Sequence, residues 1–164
     1  MTAPGLVKVA LEVNGASYER EIEARKTLAD FLREDLGFTG VNLGCEHGVC
    51  GACSVLMNGA VVRSCIMLGV QAEGCAVTTI EGLAQGENLH PVQQAFLAHH
   101  ALQCGFCTPG MILAAVDLLA RCPQPTETQI REAMSGNLCM CTGYVNIVRA
   151  VSAAAEALRS GRKP

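Results

Sequence analysis

The chain has 164 residues, half of them hydrophobic, which is enough to bury a core in one domain or in two small ones. Its net charge is −3, from 12 basic and 15 acidic residues without a basic stripe, and this balance argues against a nucleic-acid partner. The longest apolar stretch, MILAAVDLLA, is interrupted by Asp117 and is too short to span a bilayer.

The first segment, MTAPGLVKVALEVNG, has no basic region and reaches a polar turn after few apolar residues, so it is not typical of a secretory signal. We therefore expect the protein in the cytoplasm. Thiols stay reduced there, so the ten cysteines of the chain indicate metal or redox chemistry rather than a disulfide framework.

The first half of the chain is predicted to form a hairpin, a helix, a cysteine-rich loop, a second hairpin and a strand. Alternating apolar runs flank Asn14-Gly15 and Asn58-Gly59, and Asn-Gly between such runs is the strongest short-range hairpin signal. A helix is predicted over about 27–36 with Thr27 as its N-cap, and a last strand over 76–80.

The second half is predicted to be helical. HPVQQAFLAHHALQ begins with Pro91 at a first helical position, and a second helix starts near Pro109 and ends before Pro123. Thr126 and Gln129 form a capping box for a third helix. YVNIVRAVSAAAEALRS has the apolar spacing of a fourth, and RSGRKP is predicted to be a frayed tail.

The composition changes in EGLAQGENLH, between the strand-rich and the helical half. We place a domain boundary there, with a strand-rich domain over 1–82 and a helical domain over 83–164. Strands followed by helices in this way predict the α+β fold class.

Four cysteines form a first set around the segment GCEHGVCGACSV. The spacing C-x4-C-x2-C with a later fourth cysteine is the plant-type [2Fe–2S] ferredoxin pattern. A loop around such a cluster must turn its amides inward, which requires unusual backbone angles that we assign to its glycines, Gly44, Gly48 and Gly51. The predicted ligands are Cys45, Cys50, Cys53 and Cys65, the last of them on the hairpin that follows.

Other metal sites fit the first set less well. A structural zinc site usually repeats a close C-x2-C pair, and only Cys50 and Cys53 form one here. A Rieske centre needs two histidines, and His47 is the only one nearby. We therefore interpret His47 as a loop residue near the rim of the cluster.

A second set of four cysteines lies in QCGFCTPG and GNLCMCTGY. Both segments precede a predicted helix, whose N-terminal partial positive charge and free amides favour thiolates and an anionic cluster. The pattern alone predicts a metal site and leaves iron–sulfur and zinc open, although a C-x-C pair is uncommon for zinc. The predicted ligands are Cys104, Cys107, Cys139 and Cys141, which leaves Cys75 and Cys122 as ordinary buried thiols.

The motifs GCEHGVCGACSV, QCGFCTPGM and GNLCMCTGY, in this order, resemble the small iron–sulfur subunit of the molybdenum hydroxylases, the xanthine oxidase family. The resemblance covers nearly the whole chain. It implies an N-terminal β-grasp ferredoxin domain with one [2Fe–2S] cluster, followed by a C-terminal four-helix domain with a second one.

The resemblance also implies partners and a role. A large subunit would carry molybdopterin (cytosine dinucleotide), a medium subunit would carry FAD, and the complex would be a dimer of heterotrimers. This chain would pass electrons from molybdopterin towards FAD, with no turnover of its own. The second cluster would face the pterin, where Gln103 and Cys141 match contact positions. The substrate would be an N-heteroaromatic compound, an aldehyde or carbon monoxide.

Two functions of other classes remain as alternatives. A stand-alone ferredoxin-like electron carrier would need only one cluster and would leave the helical half unexplained. A zinc-binding interaction module would use the thiols without redox activity. Iron content and a visible spectrum separate these possibilities, since zinc thiolates are colourless.

Overall fold

A mixed five-stranded sheet forms the first half of this computed structural model, which describes residues 5–161. Its strands are β1 (Leu6–Val13), β2 (Ala16–Glu23), β3 (Ser54–Met57), β4 (Ala60–Arg63) and β5 (Ala76–Thr78). They lie in the order β2–β1–β5–β3–β4. The β1–β5 pair is parallel and the other pairs are antiparallel.

Both predicted hairpins are confirmed at their Asn-Gly turns. Asn14 and Asn58 have φ angles of 53° and 50°, and the glycines that follow have 82° and 85°. Two successive left-handed residues match the twist of the flanking strands, which is why Asn-Gly is favoured at this turn.

The helix predicted over about 27–36 differs from a regular α-helix. It begins as α1 (Leu28–Asp30), where Thr27 Oγ1 accepts a hydrogen bond of 3.1 Å from the Asp30 amide, and continues as a π-helix over Phe31–Asp35. Its wider winding ends with Leu36 N donating to Phe31 O at 3.3 Å. Leu28 in the α-helical part and Phe31 in the π-helical part are both buried, so the spacing of apolar residues cannot distinguish a π-helix from an α-helix here.

Four helices form the second half, as predicted. They are α2 (Pro91–Ala98), α3 (Thr108–Arg121), α4 (Glu127–Met134) and α5 (Val145–Ser160). The predicted capping box of α4 is present, because Thr126 accepts from the Gln129 amide and the Gln129 side chain bonds the Thr126 amide. Part of the predicted frayed tail, residues 162–164, lies outside the described residues, and α5 continues to Ser160.

Helix α2 ends earlier than the sequence predicts. The predicted segment continued to Gln103, but His100 adopts a left-handed φ of 50°, and Ala101 N donates back to Phe96 O at 2.9 Å. This closure satisfies the last carbonyls of the helix without the glycine that normally signals it.

Each half has its own hydrophobic core, and the two cores meet. The sheet half buries Leu28, Phe31 and Val55, and Val61 and Ile80 of that half pack against the helical core. The predicted boundary at 82/83 stays a prediction. None of the helices within residues 5–161 is long and apolar enough to cross a membrane.

Candidate metal centres

The first cysteine set lies in one loop and one turn at the end of the sheet. Cys45 and Cys50 are in the loop that precedes β3, and Cys53 lies immediately before that strand. Cys65 is in a 3-10 turn over Ser64–Ile66, directly after the hairpin on which it was predicted. The hairpin register brings Cys53 beside Ser64, whose hydroxyl donates to Cys53 O at 2.6 Å.

The thiols of this set have strongly different electrostatic surroundings. The amide of Cys50 donates to Cys45 Sγ at 3.3 Å and, with the amide of His47, lowers the pKa of Cys45 to about 6. Burial, followed by the neighbouring Cys53 thiol, raises the pKa of Cys65 to about 11. The loop therefore directs amides at a sulfur and crowds several thiols together, as an anionic sulfur-bridged cluster requires.

Two of the three loop glycines have the backbone angles that the sequence suggested. Gly48 and Gly51 have φ angles of 84° and 75°, in the left-handed region that favours glycine. The same prediction is wrong for Gly44, whose φ is not positive. The space around it is tight instead, because a Cβ there would lie 3.1 Å from Cys50 Sγ and 3.3 Å from the ring of Phe106.

The second cysteine set lies where two loops of the helical half meet. Cys104 Sγ and Cys141 Sγ are 3.3 Å apart although the residues are 37 positions apart in sequence. Cys107 is the N-cap residue of α3. Burial, and then the neighbouring Cys139 thiol, raises the pKa of Cys107 to about 12.

Hydrogen bonds favour the thiolate at two members of the second set. Burial raises the pKa of Cys139, but hydrogen bonds from the Thr142 hydroxyl and amide, together with the Cys141 amide and the Cys107 thiol, outweigh it, so the net shift is downward. The amide of Phe106, and then the Cys141 thiol, lower the pKa of Cys104. The pKa is therefore lowered at Cys104 and Cys139 and raised at Cys107 and Cys141, so low-pKa and high-pKa thiols alternate along this set.

Tyr144 supports the loop that carries Cys139, and sequence analysis missed it. Its hydroxyl accepts a hydrogen bond of 2.8 Å from Cys139 N and donates one of 3.1 Å to Asn137 O. The residue has a left-handed φ of 68° and precedes α5 rather than starting it. No sequence signal marks it, because the tyrosine also fits the apolar spacing of the helix.

The remaining predicted residues have distinct locations. Gln103 and Cys141 are both exposed. Cys75 and Cys122 were expected to be buried, and both are only half-buried: Cys75 lies in the turn before β5, and Cys122 ends α3, at the opposite end of that helix from Cys107. Because α3 has 14 residues, these ends are about 21 Å apart.

The donor chemistry of both cysteine sets fits a [2Fe–2S] cluster. Within residues 5–161, no three His, Cys, Asp or Glu side chains meet at the spacing for a single metal ion. A [2Fe–2S] cluster makes a different demand, since four thiolates share two irons. Each set offers four thiols and at least one backbone amide directed at a sulfur.

Two domain families match the chain, one for each half. Residues 11–79 match the family described as "2Fe-2S iron-sulfur cluster binding domain". Residues 79–152 match the family described as "[2Fe-2S] binding domain". The two matches meet within one residue and contain one cysteine set each.

Known relatives share nearly the full length of the chain. The nicotine 6-hydroxylase small subunit of Paenarthrobacter nicotinovorans is 53% identical, over 92% of this chain and 93% of that protein. The caffeine dehydrogenase subunit gamma of Pseudomonas sp. (strain CBB1) is 49% identical, over 87% of each chain. A chain of quinoline 2-oxidoreductase from Pseudomonas putida 86 superposes with a TM-score of 0.92 at 51% identity, over 96% of this chain and 99% of that one. The chain therefore belongs to the family of small iron–sulfur subunits of the molybdenum hydroxylases.

Proposed function

We propose that this chain is the electron-transfer subunit of a multi-subunit molybdenum hydroxylase and that each half holds one [2Fe–2S] cluster. The observation that carries the proposal is the grouping of eight of the ten cysteines into two sets, each with amides directed at sulfur. When bound, each cluster supplies the storage and release of one electron at a time. The proposed ligands are Cys45, Cys50, Cys53 and Cys65 for the first cluster and Cys104, Cys107, Cys139 and Cys141 for the second.

The work of this chain is to hold and tune the clusters. The amides of Cys50 and Thr142 donate to the sulfurs of Cys45 and Cys139, and such bonds stabilise the more negative, reduced state. Burial of the Cys65 thiol acts in the opposite direction, because a low-dielectric surrounding disfavours added charge. The balance of these effects would set the two potentials, and the chain alone would turn over no substrate.

The proposal requires partner subunits. A large subunit would bind molybdopterin cytosine dinucleotide and hydroxylate the substrate, and a medium subunit would bind FAD. The relatives named "small subunit" and "subunit gamma" support an assembly of several chains. We further propose that two heterotrimers form the complete complex and that it works in the cytoplasm, where the cysteines stay reduced.

The substrate we propose is an N-heteroaromatic compound rather than an aldehyde or carbon monoxide. The relatives described above are named for nicotine, caffeine and quinoline, all of which contain nitrogen in an aromatic ring. We also propose that Gln103 and Cys141 contact the pterin of the large subunit. Their exposure supports this, because a residue that contacts a partner's cofactor must reach the surface of its own chain.

Native co-purification with metal analysis tests the proposal. We expect a larger molybdenum-containing chain to accompany this one, with about four iron and about four acid-labile sulfide per small chain, two for each cluster. Iron at about half that value would leave only the stand-alone carrier with one cluster. Stoichiometric zinc without iron would favour the interaction module and would contradict the proposal.

A further inference from the structure

A buried asparagine joins the two cysteine loops. Asn137 is 1% exposed and lies two residues before Cys139. Its Nδ2 donates to Gly51 O, in the loop between Cys50 and Cys53, at 3.0 Å. The side chain of one helical-half loop therefore bonds the backbone of the other loop, across 86 positions of sequence.

Arg63 fixes the same asparagine from the sheet side. Its Nη2 donates to Asn137 Oδ1 at 3.2 Å and to Gly136 O at 2.6 Å, while its Nη1 donates to Ser54 Oγ at 2.6 Å. Ser54 Oγ donates in turn to Gly51 O at 2.6 Å. Both ends of the Asn137 amide are thus bonded to the first half of the chain.

Backbone bonds continue this connection to the proposed ligands. Leu138 N donates to Cys50 O at 2.8 Å, and Leu138 is the neighbour of Cys139. The Tyr144 hydroxyl then ties Cys139 N to Asn137 O. A short chain of hydrogen bonds consequently leads from one proposed ligand, Cys50, to another, Cys139.

The loops are also too close for any added atom. A Cβ on Gly51 would lie 2.7 Å from the Asn137 amide and 2.7 Å from Gly136 O. A Cβ on Gly110, in the first turn of α3 after Cys107, would lie 2.3 Å from Gly51 O. The Gly51 backbone is therefore held between the two segments that carry the second cysteine set.

We infer that Asn137 is a positioning residue that fixes the separation and orientation of the two metal centres and thereby their electronic interaction. The inference rests on the proposed function, because it requires that both cysteine sets hold clusters. Asn137 contacts neither set through its side chain, so it acts through Gly51 and the backbone beside Cys139. A residue that only stabilised its own loop would not need a side-chain amide whose nitrogen and oxygen both bond the first half of the chain.

The test compares variants of the assembled complex in the fully reduced state. Asn137→Ala removes every side-chain bond between Asn137 and the first half and leaves only the Leu138 N–Cys50 O and Arg63–Gly136 O bonds of this connection, whereas Asn137→Asp keeps the shape and the Arg63 contact but loses the donor to Gly51 O. Asn146→Ala is the matched control, because Asn146 also donates to a carbonyl, that of His100, but within the helical half. Each variant is analysed for iron and sulfide and by low-temperature electron paramagnetic resonance.

We expect all three variants to keep both clusters and the control to keep the wild-type cluster–cluster splitting. Asn137→Ala and Asn137→Asp should lose or reduce that splitting, with the larger change in the alanine variant. If Asn137→Ala loses iron, the aspartate variant with full iron decides the question. Full iron with unchanged splitting in either Asn137 variant overturns the inference, as does a wild-type complex that holds both clusters without measurable interaction. A wild-type chain without two clusters instead refutes the proposed function.

Discussion

The close approach of α3 to the first cysteine loop makes Gly110→Ala a decisive substitution. Gly110 is buried in the first turn of α3, and an added Cβ would lie 2.3 Å from Gly51 O and 3.2 Å from Ala52 O. Its φ is not in the left-handed region, so an alanine is not strained by the backbone itself. The substitution therefore separates two effects that usually act together at glycine, helix propensity and steric space.

The two effects have opposite signs. Alanine in place of glycine in a helix gains up to about 1 kcal/mol of stability from propensity. Ordinary van der Waals contacts of a Cβ begin at 3.4 Å, so the new methyl, 2.3 Å from Gly51 O, would be about 1 Å too close to that oxygen. Overpacking of this kind costs about 1–3 kcal/mol, and the neighbour is backbone, which cannot rotate away. A Cβ 2.3 Å from a backbone oxygen places the cost in the upper part of that range, about 2–3 kcal/mol, so we expect a net loss of about 1–2 kcal/mol.

Thermal unfolding at one fixed scan rate measures this loss. For a chain of this size it corresponds to a decrease of about 2–8 °C in Tm. Ser152→Ala, at an exposed position of α5, is the control, since it gains propensity without meeting any neighbour and should leave Tm equal or slightly raised. A Gly110→Ala protein as stable as wild type, or more so, would show that α3 and the Gly51 loop do not touch as described.

Three further predictions address other parts of the molecule. Tyr144→Phe removes the hydroxyl that bonds Cys139 N and Asn137 O, which should cost about 1–3 kcal/mol and speed iron release from the second cluster to a chelator; release at the wild-type rate contradicts this role. Burial lowers the pKa of His90, whose Nδ1 accepts a hydrogen bond from Val92 N. The neutral imidazole therefore adds to the free energy of unfolding above the ordinary histidine pKa of about 6.5, and this contribution is lost as pH falls below that value. Wild type should therefore lose more Tm than His90→Asn between about pH 7.5 and about pH 5.5, and equal losses would exclude this role. Cys75→Ala and Cys122→Ala should keep the paramagnetic signals of both reduced clusters, whereas Cys53→Ala and Cys139→Ala should each lose one; loss of a signal in either spare-cysteine variant would mean that a ligand is assigned wrongly.

Local signals in the sequence predict most of the elements. Asn-Gly at 14–15 and 58–59 defines both hairpins, and Thr126 with Gln129 defines the start of α4, because each signal depends on residues within a few positions of one another. The π-helical turn after α1 and the early end of α2 were not predictable in this way. In both cases the deciding hydrogen bond, to Phe31 O or to Phe96 O, closes five residues back without a characteristic residue type.

The cysteine sets were predictable for a different reason. The size of a [2Fe–2S] cluster limits how its ligands can be spaced. The C-x4-C-x2-C spacing of the first set, and the C-x2-C and C-x-C pairs of the second, can therefore be recognised without knowing the fold. The residues that support them could not be found from spacing. Asn137 bonds a carbonyl 86 positions away, and a Cβ on Gly44 would lie 3.3 Å from the ring of Phe106, 62 positions further on. Such requirements exist only once the two halves have packed together.

The way the halves pack explains why polar residues carry the contact at the loops. Away from them, Val61 and Ile80 meet the helical core as ordinary apolar packing. At the loops the chain is irregular, and its carbonyls and amides have no partners in a helix or sheet, although burial requires that they be bonded. Asn137 serves the Gly51 carbonyl, and Asn42 Nδ2 donates to Phe106 O at 2.9 Å, between Cys104 and Cys107. Apolar side chains could fill the same space but would form no bond between the loops, and Gly51 O would keep only its bonds from Ser54 within its own half. Side-chain amides at both positions therefore supply the directional bonds that hold two irregular loops together, at the buried contact of Asn137 and at the exposed contact of Asn42 alike.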